Sequence, residues 1–341
     1  MSTSFISQSV YKKTLTISLT RPAAYNALNW EMIRAIQERL KQAQSDPSVQ
    51  IIILQSMVDK IFCAGGDVKA IYQNQSNPNY TRAFFKSEYA LNGLIGSFSK
   101  PIIALVNGLT LGGGMGISMP AQYRVANENT LLGMPETTIG FFPDVGAGYF
   151  YNKLSQHLAL YLALTGTLLS PTEALISGLV SHYVSSSKWE DLICDLKECE
   201  NRIGIENCLK IYHEPQELSQ SFSCIDVIEA CFSAQSVEDV LTQLESHPSL
   251  FAKNCHEKLI TKSPTSLKVT FKKIKQNRTW SLKDVLDQDF TLSQNFVHHP
   301  DFMEGIRAQV VDKDRSPRWN PSELQGVTQE MISKLFYSPK A

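Results

Sequence analysis

Ile102-Ile103-Ala104-Leu105-Val106-Asn107-Gly108-Leu109-Thr110-Leu111-Gly112-Gly113-Gly114-Met115-Gly116 is the stretch on which the fold turns. The run Ile102–Val106 is short, apolar and rich in branched residues, and Asn107-Gly108 closes it, so it reads as a buried strand. The residues after the glycines, Met115 to Met119, suit a buried helix. Consecutive glycines where a strand hands over to a helix let the backbone approach a ligand and leave the first helical N–H groups without partners. Such N–H groups favour developing negative charge. Downstream come Met134-Pro135-Glu136 and Phe142-Pro143-Asp144, two carboxylates in a segment otherwise poor in charge. Backbone donors with loop carboxylates suggest a chemical site.

A second glycine pair stands upstream in Phe62-Cys63-Ala64-Gly65-Gly66-Asp67, and Val68-Lys69-Ala70-Ile71 then begins a helical pattern. Two strand-to-helix glycine junctions could each aim one N–H at a single oxygen, forming an oxyanion hole for acyl-transfer or enolate chemistry. Taken alone, each set reads more simply as a tight turn. Neither fits a phosphate loop or the dinucleotide-binding GxGxxG pattern. Cys63, beside the first junction, reads as a small buried residue rather than a nucleophile.

Further out, Leu15, Ile17 and Leu19 alternate with Thr14, Thr16 and Ser18, a half-buried strand pattern. Asn29 can cap a helix with Met32, Ile33, Ile36, Leu40 and Ala43 on one face, and Asp46-Pro47 ends it. Val49 to Leu54 follows as a buried strand. Short strands at Tyr123–Ala126, Leu131–Met134 and Leu179–Val184 continue the series. Strands alternating with helices imply an α/β layer fold. Beyond Ser185 strand-like alternation disappears and helical spacing takes over, as in Val237, Val240, Leu241 and Leu244, with Ser263 or Thr261 placed to cap a helix at Pro264. Two regions are therefore expected: an α/β core over 1–185 and a mainly helical region over 186–341 packed on it. Lys268, Lys272, Lys273 and Lys275 read as a solvated helix face.

The chain has 341 residues, 43% hydrophobic and 19% charged, with a formal net charge of -1. That is the balance of an ordered globular protein with no general attraction to nucleic acid or anionic membrane. Seven cysteines without a CxxC pair and histidines without ligand spacing speak against a zinc site. No apolar run approaches the roughly 20 residues that span a membrane. The N-terminal residues show no leader pattern, so a cytoplasmic location of bacterial type is expected.

Taken together, Ala64-Gly65-Gly66-Asp67, Asn107-Gly108 through Gly116, and Pro135-Glu136 followed by Phe142-Pro143 resemble the crotonase (enoyl-CoA hydratase/isomerase) superfamily. Arg21-Pro22 with Asn26-Ala27-Leu28 is similar to that family's N-terminal signature. The resemblance implies a core of repeated ββα units wound as a spiral. It also implies an acyl-CoA substrate whose thioester oxygen is held by the backbone N–H groups of Gly66 and Gly113. Ala64, Asp67 and Val68 would lie along the CoA adenine site.

Departures from the hydratase pattern narrow the expectation. Hydratases of the family carry a glutamate two residues after the third glycine, and here that residue is Gly116. Where they have a small residue after the proline, this chain has Asp144. Met134–Thr137, Phe142–Gly146, Ser87-Glu88-Tyr89 and His299–Ala308 with Asp312-Lys313-Asp314 resemble the branch of the superfamily that hydrolyses short, branched 3-hydroxyacyl-CoA thioesters in valine breakdown. That implies Glu136 as nucleophile or general base, Asp144 as the group that binds the substrate hydroxyl or orients water, and Glu88 facing the acyl pocket. No metal or redox cofactor is implied, coenzyme A being part of the substrate. The alternatives are an enoyl-CoA hydratase or isomerase and, in another class, a non-catalytic acyl-CoA-binding protein. Family members commonly form trimers or paired trimers, whereas a helical C-terminus of this length could satisfy its own core; a homo-oligomer is one expectation of the two.

Overall fold

A computed structural model of the chain describes residues 5–216 and 224–337. They form two compact units, each assembled from separated segments. The first takes the described residues of Met1–Gly66, Ala90–Leu132 and Leu169–Ser221, the second those of Asp67–Tyr89, Gly133–Leu168 and Phe222–Ala341. The architecture is α/β with a largely helical C-terminal part, as expected; past Tyr183 the described residues contain no strand.

The strands are β1 (Ile6–Tyr11), β2 (Thr14–Leu19), β3 (Ile51–Ser56), β4 (Ile61–Cys63), β5 (Ile102–Val106), β6 (Leu109–Leu111), β7 (Tyr123–Ala126), β8 (Leu131–Gly133) and β9 (His182–Tyr183). In the first unit a sheet of order β1-β2-β3-β5-β7-β9 begins with an antiparallel pair and continues parallel. Ile51, Ile53, Ile103, Leu105 and Val125 pack with Leu192, Leu196, Ile205 and Leu209 from the helices Trp189–Glu198 and Arg202–Tyr212. Parallel strands covered on both faces read as continuous apolar runs, which is why β3 and β5 were plain in the sequence. β2 departs from its half-buried expectation: Thr14, Thr16 and Ser18 are buried too. It runs between β1 and β3, inside the sheet, and Gln55 of β3 donates to the Ser18 hydroxyl at 3.0 Å. The expected strand at Leu179–Val184 shortens to β9.

A second, small sheet has the order β4-β6-β8. β4 and β6 pair in parallel through Ile61 with Leu109 and Cys63 with Thr110. The strand that feeds the glycine cluster is thus β6, one connection later than β5. The helix Trp30–Ser45 forms as expected: Asn29 accepts from the Met32 N–H, and Met32, Ile33, Ile36, Leu40 and Ala43 are its buried residues.

The second unit is helical. Gln156–Thr165 is buried on nearly every side, as befits a helix apolar all round, and Ile225–Phe232 and Pro264–Gln276 pack on it. Serine caps set the starts of its neighbours: Ser236, Ser249, Ser263 and Ser281 accept from Asp239, Ala252, Ser266 and Asp284 N–H groups. In Pro264–Gln276 the lysine run is not a uniformly solvated face. Lys273 is fully buried, three and four residues beyond the buried Thr270 and Val269, because residues at that spacing share a helix face.

Candidate active site

In the first unit, β4 leads into Ala64-Gly65-Gly66 and β6 into Gly112-Gly113-Gly114, and the parallel pairing of the strands brings the two junctions side by side. A Cβ placed on Gly65 would lie 3.6 Å from the Leu111 carbonyl oxygen and 4.0 Å from the Gly113 nitrogen. On Gly114 it would meet the Cys63 carbonyl oxygen at 2.5 Å, so the backbones approach more closely than any side chain permits. Gly113 is the first residue of the helix Gly113–Ser118, where N–H groups lack intrahelical acceptors. Gly116 lies buried in that helix.

The Arg21–Leu28 segment supports this arrangement. The Asn26 side chain, fully buried, donates to the Phe62 carbonyl at 3.0 Å and the Ser56 hydroxyl at 2.8 Å and accepts from the Arg21 N–H at 2.8 Å. The Ala64 N–H donates to the Tyr25 carbonyl at 3.0 Å, and the Leu28 N–H to Gly65 at 2.8 Å. The N-terminal motif is thus a brace for the first glycine junction. Cys63 is buried, with its thiol 3.1 Å from the Asn26 carbonyl oxygen.

The second unit gathers the carboxylates. Glu88 is buried on the helix Pro78–Gly96. Glu136 opens the 3-10 turn Glu136–Ile139, which Gly140 ends with φ +67°. That turn is wedged against the helix Pro300–Ile306: a Cβ on Gly305 would meet the Ile139 carbonyl carbon at 2.2 Å, and one on Gly140 the Asp301 carbonyl oxygen at 2.1 Å. His299 caps this helix and Pro300 starts it. Asp144, also buried, accepts a hydrogen bond from the Tyr89 hydroxyl at 2.7 Å. Asp67 accepts from the Ala70 N–H as the cap of the helix Val68–Gln73, and Asp67 and Val68 are half-buried, as is Ala64 in the first unit.

The same segments carry a set of stacked aromatic rings. Phe141 stacks on Phe142 at 4.4 Å, on Phe302 at 4.5 Å and on Phe85 at 5.6 Å between centroids, and Phe85 lies 5.8 Å from Tyr89. Loss of hydration in such surroundings disfavours the charged form of a carboxyl. Burial, then the negative charges of Asp144 and Glu136, holds Glu88 well above the usual carboxylate range. Burial and then Asp144 does the same to Glu136, opposed by Lys273 and Lys262. Asp144 is pushed up to about 7 by burial and by Asp289, against the pull of the Tyr89 hydroxyl and Lys273. Three carboxyls in one another's field, each with its proton affinity raised, suit acid/base work. Glu88 Oε1 and Glu136 Oε2 have no hydrogen-bond partner among the described residues.

Several participants were not singled out from the sequence. The loop Pro143–Gly146 is held from behind by Lys273, whose ammonium donates to the Pro143 carbonyl at 2.7 Å and pairs with Asp289 at 2.7 Å. Asp289 also accepts from the Gly146 N–H at 2.9 Å. Val145 and Gly146 both take positive φ, 47° and 89°. The position of Lys273 on the apolar face of its helix was the available signal. Tyr89 carried none beyond its place after Glu88. Among the described residues no group of three His, Cys, Asp or Glu is arranged to hold a metal ion.

Comparison with known proteins covers nearly the whole chain. Residues 14–336 match the family model described as enoyl-CoA hydratase/isomerase. The mitochondrial 3-hydroxyisobutyryl-CoA hydrolase of Danio rerio is 42% identical over 96% of this chain and 87% of its own length. The Homo sapiens protein of the same name is 39% identical over 95% of this chain and 86% of its length. Among solved structures, a carnitinyl-CoA dehydratase from Mycobacterium thermoresistibile superposes with a TM-score of 0.92 at 30% identity, covering 98% of this chain and 97% of that one. An enoyl-CoA hydratase from Rhodobacter sphaeroides gives 0.90 at 28% identity, covering 98% of both chains.

Proposed function

The chain belongs to the enoyl-CoA hydratase/isomerase family, and we propose that its reaction is the hydrolysis of 3-hydroxyisobutyryl-CoA to 3-hydroxyisobutyrate and coenzyme A. The observation that carries this reading is the similarity, at 42% and 39% identity over almost the full chain, to enzymes named for that reaction. The residues support it. Gly116 stands where the family's hydratases keep a glutamate, so the pair of carboxylates that adds water to a double bond is incomplete. Asp144 joins Glu136 and Glu88 in one buried cluster instead. The solved dehydratase and hydratase share the fold at lower identity.

Thioester hydrolysis breaks the C–S bond, forms a C–O bond to oxygen from water and delivers a proton to the departing thiolate. In this reading the N–H groups of Gly66 and Gly113 hold the thioester oxygen as it becomes an oxyanion, a contribution worth about 3–4 kcal/mol per donor in related sites. Glu136 attacks the carbonyl or takes a proton from the attacking water. Asp144, positioned by Tyr89, binds the 3-hydroxyl or orients water, and Glu88 contributes to the acyl pocket. Ala64, Asp67 and Val68 line the adenine end. The thioester supplies the activation, so the chemistry calls on no metal or redox group.

The test offers the protein 3-hydroxyisobutyryl-CoA and crotonyl-CoA in parallel, following free thiol and the enoyl absorbance. Thiol release from the first substrate is expected. Loss of enoyl absorbance without thiol release would overturn the assignment in favour of hydration.

A further inference from the structure

Behind Glu136 the second unit buries a cation that the reaction described above does not use. Lys262 lies in the connection between the helices Leu250–Leu259 and Pro264–Gln276 and is 5% exposed. Its ammonium donates to the hydroxyl of Thr138. Thr138 belongs to the 3-10 turn that Glu136 opens, and its own N–H is fixed on the Pro135 carbonyl at 2.8 Å. The lysine is therefore tied to the short segment that aims Glu136. A buried ammonium loses its hydration at a cost unless something nearby uses its charge, and a hydroxyl alone is weak compensation.

The use is at hand in Glu136. Its Oε2 is buried with no hydrogen-bond partner among the described residues, and the same holds for the nearby Tyr151 hydroxyl, which feels the Glu136 charge. Asp144 opposes the ionisation of Glu136 and Lys273 and Lys262 favour it, while Glu88, itself buried, shares the field of both carboxyls. Those that act on Lys262 are Lys258, which repels it, and Glu136, which attracts it. Lys273 is already committed to Asp289 and to the Pro143 carbonyl. Lys262 has no ion-pair partner among the described residues.

We propose that Lys262 is a positioning residue for Glu136: anchored on Thr138, its ammonium supplies the positive charge that the buried Glu136 carboxylate needs in order to act as base or nucleophile. Burial and Lys258 push the Lys262 amine down to about 8, which still leaves it charged at neutral pH. The role rests on the hydrolase reading for its effect on rate, but the effect on the Glu136 carboxyl itself does not depend on which reaction is catalysed.

The experiment therefore has two readouts. The first is the carboxyl titration of Glu136 in the folded protein by infrared difference spectroscopy, assigned by its absence in Glu136→Gln. The second is the pH dependence of kcat for thiol release. In Lys262→Met, of similar length but uncharged, the Glu136 titration and the acid limb of kcat should both move to higher pH by about one unit, a tenfold loss of rate along that limb, with KM little changed. Lys262→Arg should return both toward wild type, and Thr138→Val, which removes the anchor and keeps the charge, should fall between. A Glu136 titration that is the same in wild type and Lys262→Met overturns the proposal. A shifted titration in a protein that releases no thiol from 3-hydroxyisobutyryl-CoA upholds the role of Lys262 and overturns the hydrolase reading alone.

Discussion

Lys273 and Asp289 form an ion pair of 2.7 Å with both side chains closed to solvent, and together they carry the backbone of the Asp144 loop. The lysine holds the Pro143 carbonyl and the aspartate the Gly146 N–H, so one pair fixes the chain on either side of Asp144. Removing one partner of a buried pair strands the other charge. Lys273→Met should therefore cost about 3–5 kcal/mol of stability and most of the activity, while Lys273→Met with Asp289→Asn should recover part of the stability but not the loop. Denaturant unfolding of the two variants beside wild type checks this, and a double variant no more stable than the single one would contradict it.

Asp144 links the loop to pH. Its carboxyl is pushed up to about 7 in the folded protein by burial and by Asp289, against about 3.9 in an unfolded chain. The folded state thus binds this proton more tightly, so the stability tied to it is complete below about pH 4 and lost as pH rises through about 7. Asp144→Asn, which cannot ionise, should match wild type near pH 4 and exceed it by about 4 kcal/mol at pH 8, while losing turnover. Thermal unfolding across that range is the measurement. A stability difference that stays constant with pH would count against the burial argument.

Gly114 tests the close approach of the two glycine junctions. A methyl group there would sit 2.5 Å from the Cys63 carbonyl oxygen, so Gly114→Ala must displace the segment leading to Gly66 or the helix start at Gly113. A loss of kcat of about 100-fold is expected, the scale of one misplaced oxyanion donor, with a stability loss of about 1–3 kcal/mol. Activity close to wild type would mean that the junctions do not serve as donors.

Much of the fold could be read from local pattern. Asn29 and the buried stripe behind it announced a helix, and β3 and β5 announced themselves as branched apolar runs. These are features whose signal lies within one turn or one strand. What escaped depends on distant partners. β2 alternates apolar and polar residues, yet its threonines and serine are covered because of where β2 falls in the sheet order. The Lys273 charge suggested solvent, and only Asp289 and Pro143 explain its burial. The glycines, Glu136 and Asp144 were visible as motifs, whereas the bonds that hold their segments, from Asn26 to Phe62, Tyr89 to Asp144 and Lys262 to Thr138, act across 36 to 124 positions of sequence. The two compact units are likewise built from segments that alternate along the chain.

Whether a thioester is cleaved with Glu136 as the acting carboxylate is decided by single-turnover thiol release from 3-hydroxyisobutyryl-CoA in wild type and Glu136→Gln, with substrate affinity measured by calorimetry. Wild type should release one thiol per bound substrate, and Glu136→Gln should bind with similar affinity and release essentially none. Thiol release by Glu136→Gln at the wild-type rate would contradict the claim.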